Sequence, residues 1–269
     1  MKKTIWAMIL ILLFITGYAS AEENTERFQS GDYEYVFLTE NTVKIVKYSG
    51  SKKHLMIPNE IKGCGVTAVG DFAFYGNKGL TTITLPDSVT TIGDVAFALC
   101  ENLITIVLPD HLTTIGDFAF CGCENLTTIT LPDSVTTIGD VAFSGCTELT
   151  TITLPDGVTS IGDYAFNGCE SLTSITLPDS VTSIGDSAFR WCKNLMTIKL
   201  PDSATTIGDS AFFGCKSLMT IKLLDSVTAI EDSAFDECPR LIFVVNRDSY
   251  AEEYAKRTEM MYIYSDLLD

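Results

Sequence analysis

Apolar positions recur along this chain with a fixed period of 23 residues between Leu80 and Arg240. The first copy, residues 80–102, has the sequence LTTITLPDSVTTIGDVAFALCEN, and the later copies differ from it by a few substitutions. The copies start in strict register at Leu80, Leu103, Leu126, Leu149, Leu172, Leu195 and Leu218. One such unit cannot cover its own apolar face, so the pattern predicts coils that stack on one another.

The first half of each copy predicts a short strand. Leu80, Ile83 and Leu85 are apolar and the residues between them are threonines, which is the alternation of a half-buried strand rich in β-branched side chains. Pro86 has no amide hydrogen for a strand ladder, so we expect the strand to end there. On this strand, the second, third and fifth positions of the copy point outward.

The second half of each copy predicts an extended piece followed by a turn. Val89 and Ile92 point inward again. We expect Gly93 to end the extended piece, because glycine adopts backbone angles that are closed to other residues. Asp94 then occupies the position of an N-cap, where its carboxylate would accept hydrogen bonds from the free amides of one helical or 3₁₀ turn.

The period and the L-x-x-I-x-L strand motif are typical of leucine-rich repeats. The sequence therefore predicts an α/β-type solenoid that is mainly β. We expect a right-handed superhelix with a parallel concave sheet, short helical or 3₁₀ turns, and a cap at each end.

Residues 1–21 have the features of a secretory signal peptide. Lys2 and Lys3 precede an apolar run from Ile5 to Ile15, and small residues lead up to Ala21. A membrane anchor is the alternative, but the apolar run is short for a span. We expect cleavage after Ala21 and a mature chain with no stable membrane span.

The mature chain divides into four predicted parts. These are an N-terminal β cap at 22–56, a degenerate first repeat at 57–79, seven regular repeats at 80–240, and a C-terminal strand–helix–strand cap at 241–269. In the last part, Ser249 and Glu252 match a capping box for a helix over roughly 250–258.

Three motifs together resemble the BspA-like class of bacterial leucine-rich repeats. They are the repeat I-x-L-P-x-x-V-T-x-I-G-D-x-A-F-x-x-C, the preceding unit IPNEI…GVTAVGDFAF, and the cap helix SYAEEYAK, which span about 32–265. The resemblance implies an exported protein with a binding role. Several members of the class are associated with host matrix proteins, epithelial attachment and bacterial coaggregation, but the repeat consensus implies no particular ligand.

Most of the cysteines fall on one column of the predicted stack. They are Cys100, Cys123, Cys146, Cys169, Cys192, Cys215 and Cys238. Stacked side chains project in parallel rather than towards each other, and free cysteine is among the most buried residue types, so we expect buried free thiols. Disulfides are the alternative, because the spacing between coils and an oxidising compartment both permit them.

Two further columns consist of aspartates. The first contains Asp87, Asp110, Asp133, Asp156, Asp179, Asp202 and Asp225, and the second contains Asp94, Asp117, Asp140, Asp163, Asp186, Asp209 and Asp232. Calcium binding is conceivable, because hard cations take oxygen ligands. Both columns already have turn or capping roles, however, so we predict no metal and no other cofactor.

The formal net charge is −17, and Gly79–Phe189 contains no lysine or arginine. Nucleic acid is therefore excluded as a partner class. Basic residues cluster afterwards, at Arg190, Lys193, Lys199, Lys216, Lys222 and Arg240. This asymmetry either steers an acidic partner to the C-terminal end or keeps the last coils soluble.

A few outward positions of the predicted strand depart from threonine, and these are the candidate binding residues. Met196, Lys199, Met219 and Lys222 place flexible apolar groups beside positive charges, which suits binding. Ile104 and Val107 place apolar groups outward in an earlier copy. Trp191 and Phe213 either form another exposed patch or, as we favour, pack on neighbouring coils.

The sequence favours a binding protein over an enzyme. Its histidines are His54 and His111, neither next to an evident nucleophile, and the carboxylates are repeated, whereas an active site is unique. We predict an exported protein-binding module for a host matrix or bacterial surface protein, with a glycan as another partner class. The alternatives are a periplasmic scaffold and the binding of a small apolar ligand by the concave face. Periplasm, outer surface and extracellular medium all remain open as locations.

Overall fold

Stacked coils make up most of residues 26–268, the part of the chain that the computed structural model describes. The predicted signal peptide at 1–21 lies outside the described residues. Within 26–268, no helix combines the length and the apolar character that crossing a bilayer requires.

One side of the stack is a ten-stranded sheet, here called the long sheet. All its neighbouring strands pair in parallel, with residues of successive coils in register, such as Thr82 with Thr105 and Thr151 with Ser174. It confirms the predicted repeat strand. Its strands are β4 (His54–Met56), β7 (Thr82–Thr84), β9 (Thr105–Val107), β11 (Thr128–Thr130), β13 (Thr151–Thr153), β15 (Ser174–Thr176), β17 (Thr197–Lys199), β19 (Thr220–Leu223), β21 (Ile242–Val245) and β22 (Tyr262–Tyr264).

A second side of the stack carries the predicted short extended pieces. Their strands are β5 (Glu60–Ile61), β6 (Cys64–Val69), β8 (Thr91–Ile92), β10 (Thr114–Ile115), β12 (Thr137–Ile138), β14 (Ser160–Ile161), β16 (Ser183–Ile184), β18 (Thr206–Ile207) and β20 (Ala229–Ile230). Pairing is parallel along β6, β8, β10 and β12 and resumes along β14 to β20. The interruption falls at the coil in which Gly157 replaces the serine of the repeat.

The N-terminal cap is a small antiparallel sheet of β1 (Phe28–Ser30), β2 (Tyr33–Thr39) and β3 (Thr42–Tyr48). β3 pairs in parallel with β6 and so continues the second side of the stack. β4 lies within the 22–56 segment of the sequence-based division, yet it pairs with β7 as a full member of the long sheet. The cap and the stack therefore overlap in sequence.

The third side of each coil differs from the predicted helical or 3₁₀ turn. It consists of successive tight turns, and alternate amides point to the next coil: Val95 N donates to Asp117 O and Phe97 N to Ala119 O, both at 2.8 Å. Val95 has a φ of 59°, in the left-handed region. A 3₁₀ helix needs consecutive residues with right-handed backbone angles. This backbone therefore forms hydrogen bonds between coils instead of a regular helix.

The Gly-Asp pair also works between coils rather than within one. Asp94 Oδ1 accepts from the backbone N of Asp117 at 2.8 Å, not from amides of its own turn. The same bond links each aspartate of this column to the next, from Asp71 to Asp209. Gly93 follows the short strand β8 as predicted, but the predicted reason is wrong, because its φ is not positive. A Cβ at Gly93 would lie 2.8 Å from the backbone N of Asp71, so glycine is required for space.

Phenylalanine rings fill the centre of the stack. Phe97 and Phe120 are fully buried and nearly parallel, with ring centroids 5.4 Å apart. The same stacking runs through Phe74, Phe97, Phe120, Phe143, Phe166, Phe189, Phe212 and Phe235. The core is thus continuous from cap to cap, and every coil depends on its neighbours.

The C-terminal cap contains α1 (Tyr250–Arg257), followed by β22 and a short 3₁₀ helix (Ser265–Leu267). Ser249 Oγ accepts from the backbone N of Glu252 at 3.1 Å, which confirms the capping residue. Glu252 in turn accepts from the backbone N of Asp248, from Tyr264 Oη and from Lys256 Nζ, each at 2.7 Å. Lys256, Tyr264 and the Asp248 amide together lower the pKa of Glu252 to about 2.

Gly139→Ala should lower the free energy of unfolding by about 1–3 kcal/mol. A Cβ at Gly139 would lie 2.5 Å from the backbone N of Asp117 and 2.6 Å from the carbonyl carbon of Gly116, neither of which can move freely. Urea unfolding measures the change. Gly157→Ser is the matched control, because Ser180 of the next coil donates to Val158 O; it should be neutral or stabilising by about 1 kcal/mol. Equal stability of the Gly139 variant and the wild type would contradict the spatial role of this glycine column.

Glu252→Gln should lower the melting temperature by a few degrees at neutral pH and by little in strong acid. The native pKa of about 2 lies below the ordinary value of 4.5, so the stabilisation is complete above 4.5 and is lost as the pH falls towards 2. Thermal unfolding followed by circular dichroism at several pH values measures it. Glu253→Gln, at an exposed neighbour, serves as the control. A Glu252 effect that does not vary with pH would contradict this assignment.

Candidate binding surfaces

Threonines in one outward column of the long sheet use their hydroxyl groups in hydrogen bonds to the stack itself. In the column of second positions, Thr81 Oγ1 donates to Lys53 O at 2.9 Å, and Thr127 Oγ1 donates to Ile104 O at 3.3 Å. Each hydroxyl therefore binds the backbone of the preceding coil and presents a methyl group outward. Such positions offer a partner little that is distinctive.

Met196, Lys199, Met219 and Lys222, here called the Met–Lys patch, lie together on the outward face of the long sheet. Met196 and Met219 occupy adjacent coils, joined by a hydrogen bond from Met219 N to Met196 O at 3.3 Å. Their exposed fractions are 44% and 47%. Methionine gives up the hydroxyl bond that threonine makes in this column and exposes apolar surface instead.

The two lysines of the Met–Lys patch are exposed and adjacent. Lys199 and Lys222 lie on neighbouring strands, ~4.8 Å apart at the backbone. Among residues 26–268, neither ammonium group has a carboxylate oxygen within 4 Å. Two like charges without a counter-charge repel each other, so an anionic group bound between them would be stabilised.

Ile104 and Val107, here called the Ile–Val patch, form a separate surface. Their exposed fractions are 46% and 55%. β9 lies four strands from β17, or ~19 Å, so the structure does not bring the two patches together. Ile104 borders a shallow depression of about 590 Å³ whose other walls include Lys53, Lys78, Asn102, Asn125 and Glu148.

Met56 belongs to the same region and was missed by the sequence analysis. It is 79% exposed and pairs with Thr84, which in turn pairs with Val107. It therefore lies in the same column as Val107, with Thr84 between the two. The signal was present in the sequence, since KKHLMI at 52–57 aligns with LTTITL at 80–85, but the cap interpretation concealed it.

Trp191 and Phe213 pack against each other from neighbouring coils, as favoured from the sequence. Their ring centroids are 5.2 Å apart in an edge-to-face arrangement, and both side chains stay partly exposed. Arg190 lies over the Phe213 ring, and Lys216 lies beside the Trp191 ring. These four residues, the Trp191 cluster, lie on the turn side of the coils at 172–194 and 195–217, and the second of these coils also carries Met196 and Lys199.

The column cysteines are buried free thiols in the structure, as predicted. Cys123 Sγ donates to Phe97 O at 3.2 Å, and the equivalent bond recurs from Cys100 to Cys238. Burial raises the pKa of Cys100 and of Cys121 to about 12. These two thiols are therefore protonated and poor nucleophiles, whereas the hydrogen bond with Cys215 lowers the pKa of Cys238 at the end of the column.

The aspartate and histidine candidates show no assembled chemistry. Within residues 26–268, no three His, Cys, Asp or Glu side chains are grouped so that they would hold a metal ion. Burial raises the pKa of Asp94, although its bond from the Asp117 amide opposes the rise. His54 Nδ1 lies 2.9 Å from Thr82 Oγ1 on the long sheet, and His111 is an exposed turn residue after β9.

Comparison with protein-family models gives a match over most of the chain. The BspA type leucine rich repeat region matches in six copies, over residues 47–170 and 113–242. The comparison with curated proteins gives no match.

Several solved bacterial structures are similar to this chain. A leucine rich cell surface protein from Faecalibacterium prausnitzii is 30% identical, with a TM-score of 0.63, over 84% of this chain and 77% of its own. The leucine rich repeat protein of T. pallidum is 28% identical, with a TM-score of 0.57, over 87% and 95%. A leucine-rich repeat protein from Bacteroides ovatus is 27% identical, with a TM-score of 0.59, over 81% and 70%.

Thiol labelling of the native protein should modify Cys64 rapidly and the other cysteines very slowly. Cys64 alone among the nine is not buried, and labelling reagents need an accessible thiolate. Titration with an aromatic disulfide reagent at mildly alkaline pH measures this, with all nine thiols reacting in concentrated guanidinium. Cys64→Ser should abolish the fast phase. Fast labelling of several thiols, or a mass showing disulfides, would contradict the buried column.

Proposed function

Because the chain belongs to the BspA-type leucine-rich-repeat family, we propose that it is an exported binding module that engages a protein through its Met–Lys patch. The partner is a host matrix protein or a bacterial surface protein. Leucine-rich-repeat solenoids generally act as scaffolds for protein–protein interaction and present an extended sheet to the partner. Adhesion is the biological role that we assign to this binding.

The Met–Lys patch is the observation that carries the proposal. Methionine adapts its shape to an apolar partner surface, and the neighbouring lysines supply charge that the chain itself does not neutralise. The repeat requires neither residue, because threonine occupies the same columns in the middle coils. A departure that exposes apolar surface without serving the fold supports a binding role.

Location at the cell surface is also part of the proposal. The F. prausnitzii relative is described as a cell surface protein, and the leader at 1–21 has the pattern of an export signal. A periplasmic scaffold is the alternative class, which the same patch would serve with a bacterial partner. The small apolar ligand is disfavoured, because lysine, asparagine and glutamate line the depression beside Ile104.

The chain from Glu22 to Asp269 should bind at least one matrix protein saturably at physiological salt, in a surface-binding assay with immobilised fibronectin, laminin and collagen. The variant Met196→Thr/Lys199→Thr/Met219→Thr/Lys222→Thr should bind at least tenfold more weakly, because it removes the apolar contacts and both cations. Each substitution installs the residue that other coils use, so circular dichroism and melting temperature should remain unchanged.

The matched control is Ile104→Thr/Val107→Thr, which makes the same kind of change ~19 Å away and should keep wild-type affinity. Saturable binding that the fourfold variant retains would move the contact away from the Met–Lys patch. Binding to no matrix protein would defeat the host-matrix role and favour a partner in the bacterial envelope.

A further inference from the structure

The repeat is also interrupted on the turn side of the stack, next to the Met–Lys patch. The Trp191 cluster lies there and consists of Arg190 and Trp191 from the coil at 172–194 and of Phe213 and Lys216 from the coil at 195–217. The Arg190 guanidinium is 4.4 Å from the Phe213 ring centroid and 5.9 Å from that of Trp191, and Lys216 Nζ is 6.0 Å from the latter. Two aromatic rings are thus bordered by two cations.

Trp191 occupies a position of the repeat that glycine fills in most coils, with Leu99 and Glu237 as the other exceptions. Gly145, Gly168 and Gly214 have φ values of 72–75° there, and Trp191 adopts the same left-handed region at 61°. A bulky residue with such a backbone is strained, and glycine would form the turn without strain. A Cβ at Gly214 would lie 2.5 Å from Trp191 Cε3, so the next coil leaves room for the indole ring. The tryptophan is therefore not explained by the needs of the turn.

The Trp191 cluster and the Met–Lys patch meet at one corner of the stack. Only Cys192 to Leu195 separate Trp191 from Met196 in the chain, and Lys216 lies three residues before Met219. Lys193, at this corner, forms an ion pair with Glu170 at 3.3 Å. The apolar and cationic groups thus continue from one side of these coils to the other.

Apart from Lys193, the cations at this corner form no ion pair with the described residues of the protein. In the described part of the chain, no carboxylate oxygen lies within 4 Å of the cationic groups of Arg190, Lys199, Lys216 or Lys222, although the chain has a net charge of −17. A partner with carboxylates would pair with these cations. Its apolar side chains would cover the methionines and the indole, which a sulfated polysaccharide would leave exposed to water.

We propose that the partner surface wraps this corner, from the Met–Lys patch to the Trp191 cluster, and binds an acidic protein segment that also carries apolar side chains. Arg190 and Lys216 bind carboxylates on one side of the corner, and Lys199 and Lys222 bind them on the other. Met196, Met219 and Trp191 receive the apolar side chains. This inference rests on the proposed function and names the chemistry of its partner.

Trp191 provides a direct test, because the other tryptophan, Trp6, lies in the predicted signal peptide. Its emission should change saturably when Glu22–Asp269 is titrated with a short peptide of glutamate, leucine and serine, and the affinity should fall as salt rises. The same peptide with lysine in place of glutamate should give no change. Heparin serves as the polysaccharide comparator and should bind more weakly than the acidic peptide.

The variant Arg190→Asn/Lys216→Thr keeps Trp191 and should bind the acidic peptide at least tenfold more weakly. Asn167 and Thr147 occupy these positions in other coils, so the fold is preserved. The fourfold threonine variant of the Met–Lys patch should also weaken the peptide, whereas Ile104→Thr/Val107→Thr should not. Trp191→Gly, followed with a labelled peptide, should weaken binding without lowering stability.

The outcomes separate this inference from the proposed function. The fourfold variant could lose matrix-protein binding while Arg190→Asn/Lys216→Thr keeps its affinity for both the matrix protein and the peptide. This result would overturn the proposed corner site and leave the proposed function standing. Heparin binding without a response to the acidic peptide would overturn it as well. A peptide response as described, with no matrix protein bound, would support the corner site and defeat the host-matrix role.

Discussion

Every regular feature of this molecule depends on the hydrogen bonding of one coil to the next at ~4.8 Å. At that distance, each inward side chain lies next to the equivalent side chain of the neighbouring coil. The residue type in such a column must therefore interact favourably with itself or with the backbone. Phenylalanine does so by stacking, cysteine by donating to a carbonyl, and aspartate by accepting from the amide of the next aspartate. The 23-residue period of the sequence results from this requirement that equivalent residues stack.

The same condition determines what the sequence can predict. The strands and the burial of the cysteine column follow from periodicity, because those features repeat in the residues themselves. The hydrogen-bond partner of Asp94 cannot be predicted from periodicity. An aspartate at this position is equally suited to cap a turn of its own coil and to accept from the next coil. The role of Gly93 is also not predictable from the sequence, because a glycine indicates either an unusual backbone angle or a close neighbour. The closeness of the Asp71 backbone in the structure shows that the second reason applies. The candidate surface was identified from departures from the repeat, but Met56 was not, since recognising it needed the pairing of β4.

Inward columns are constrained by their neighbours, whereas outward columns are constrained only where a side chain bonds to the preceding coil. Substitutions can therefore accumulate on the outer sides without loss of the core. The corner between Trp191 and Met219 illustrates this freedom, because its inward neighbours Phe189, Cys192 and Leu195 keep the repeat unchanged while the outer positions change in charge and size. Stability is consequently carried by the inward residues of each coil, and the outward residues can vary in charge and size.

The cysteine column has a consequence for the folding of the protein rather than for its folded state. Once stacked, the thiols are protected, but under the export proposed above the unfolded chain would arrive with all of them accessible to oxidants. Incorrect disulfides formed at that moment would block stacking, so assembly of the coils has to outpace oxidation. Contacts between residues one repeat apart are local in sequence, and local contacts form quickly. For an exported chain, the short period that defines the architecture would thus also determine how quickly its thiols become protected from oxidation.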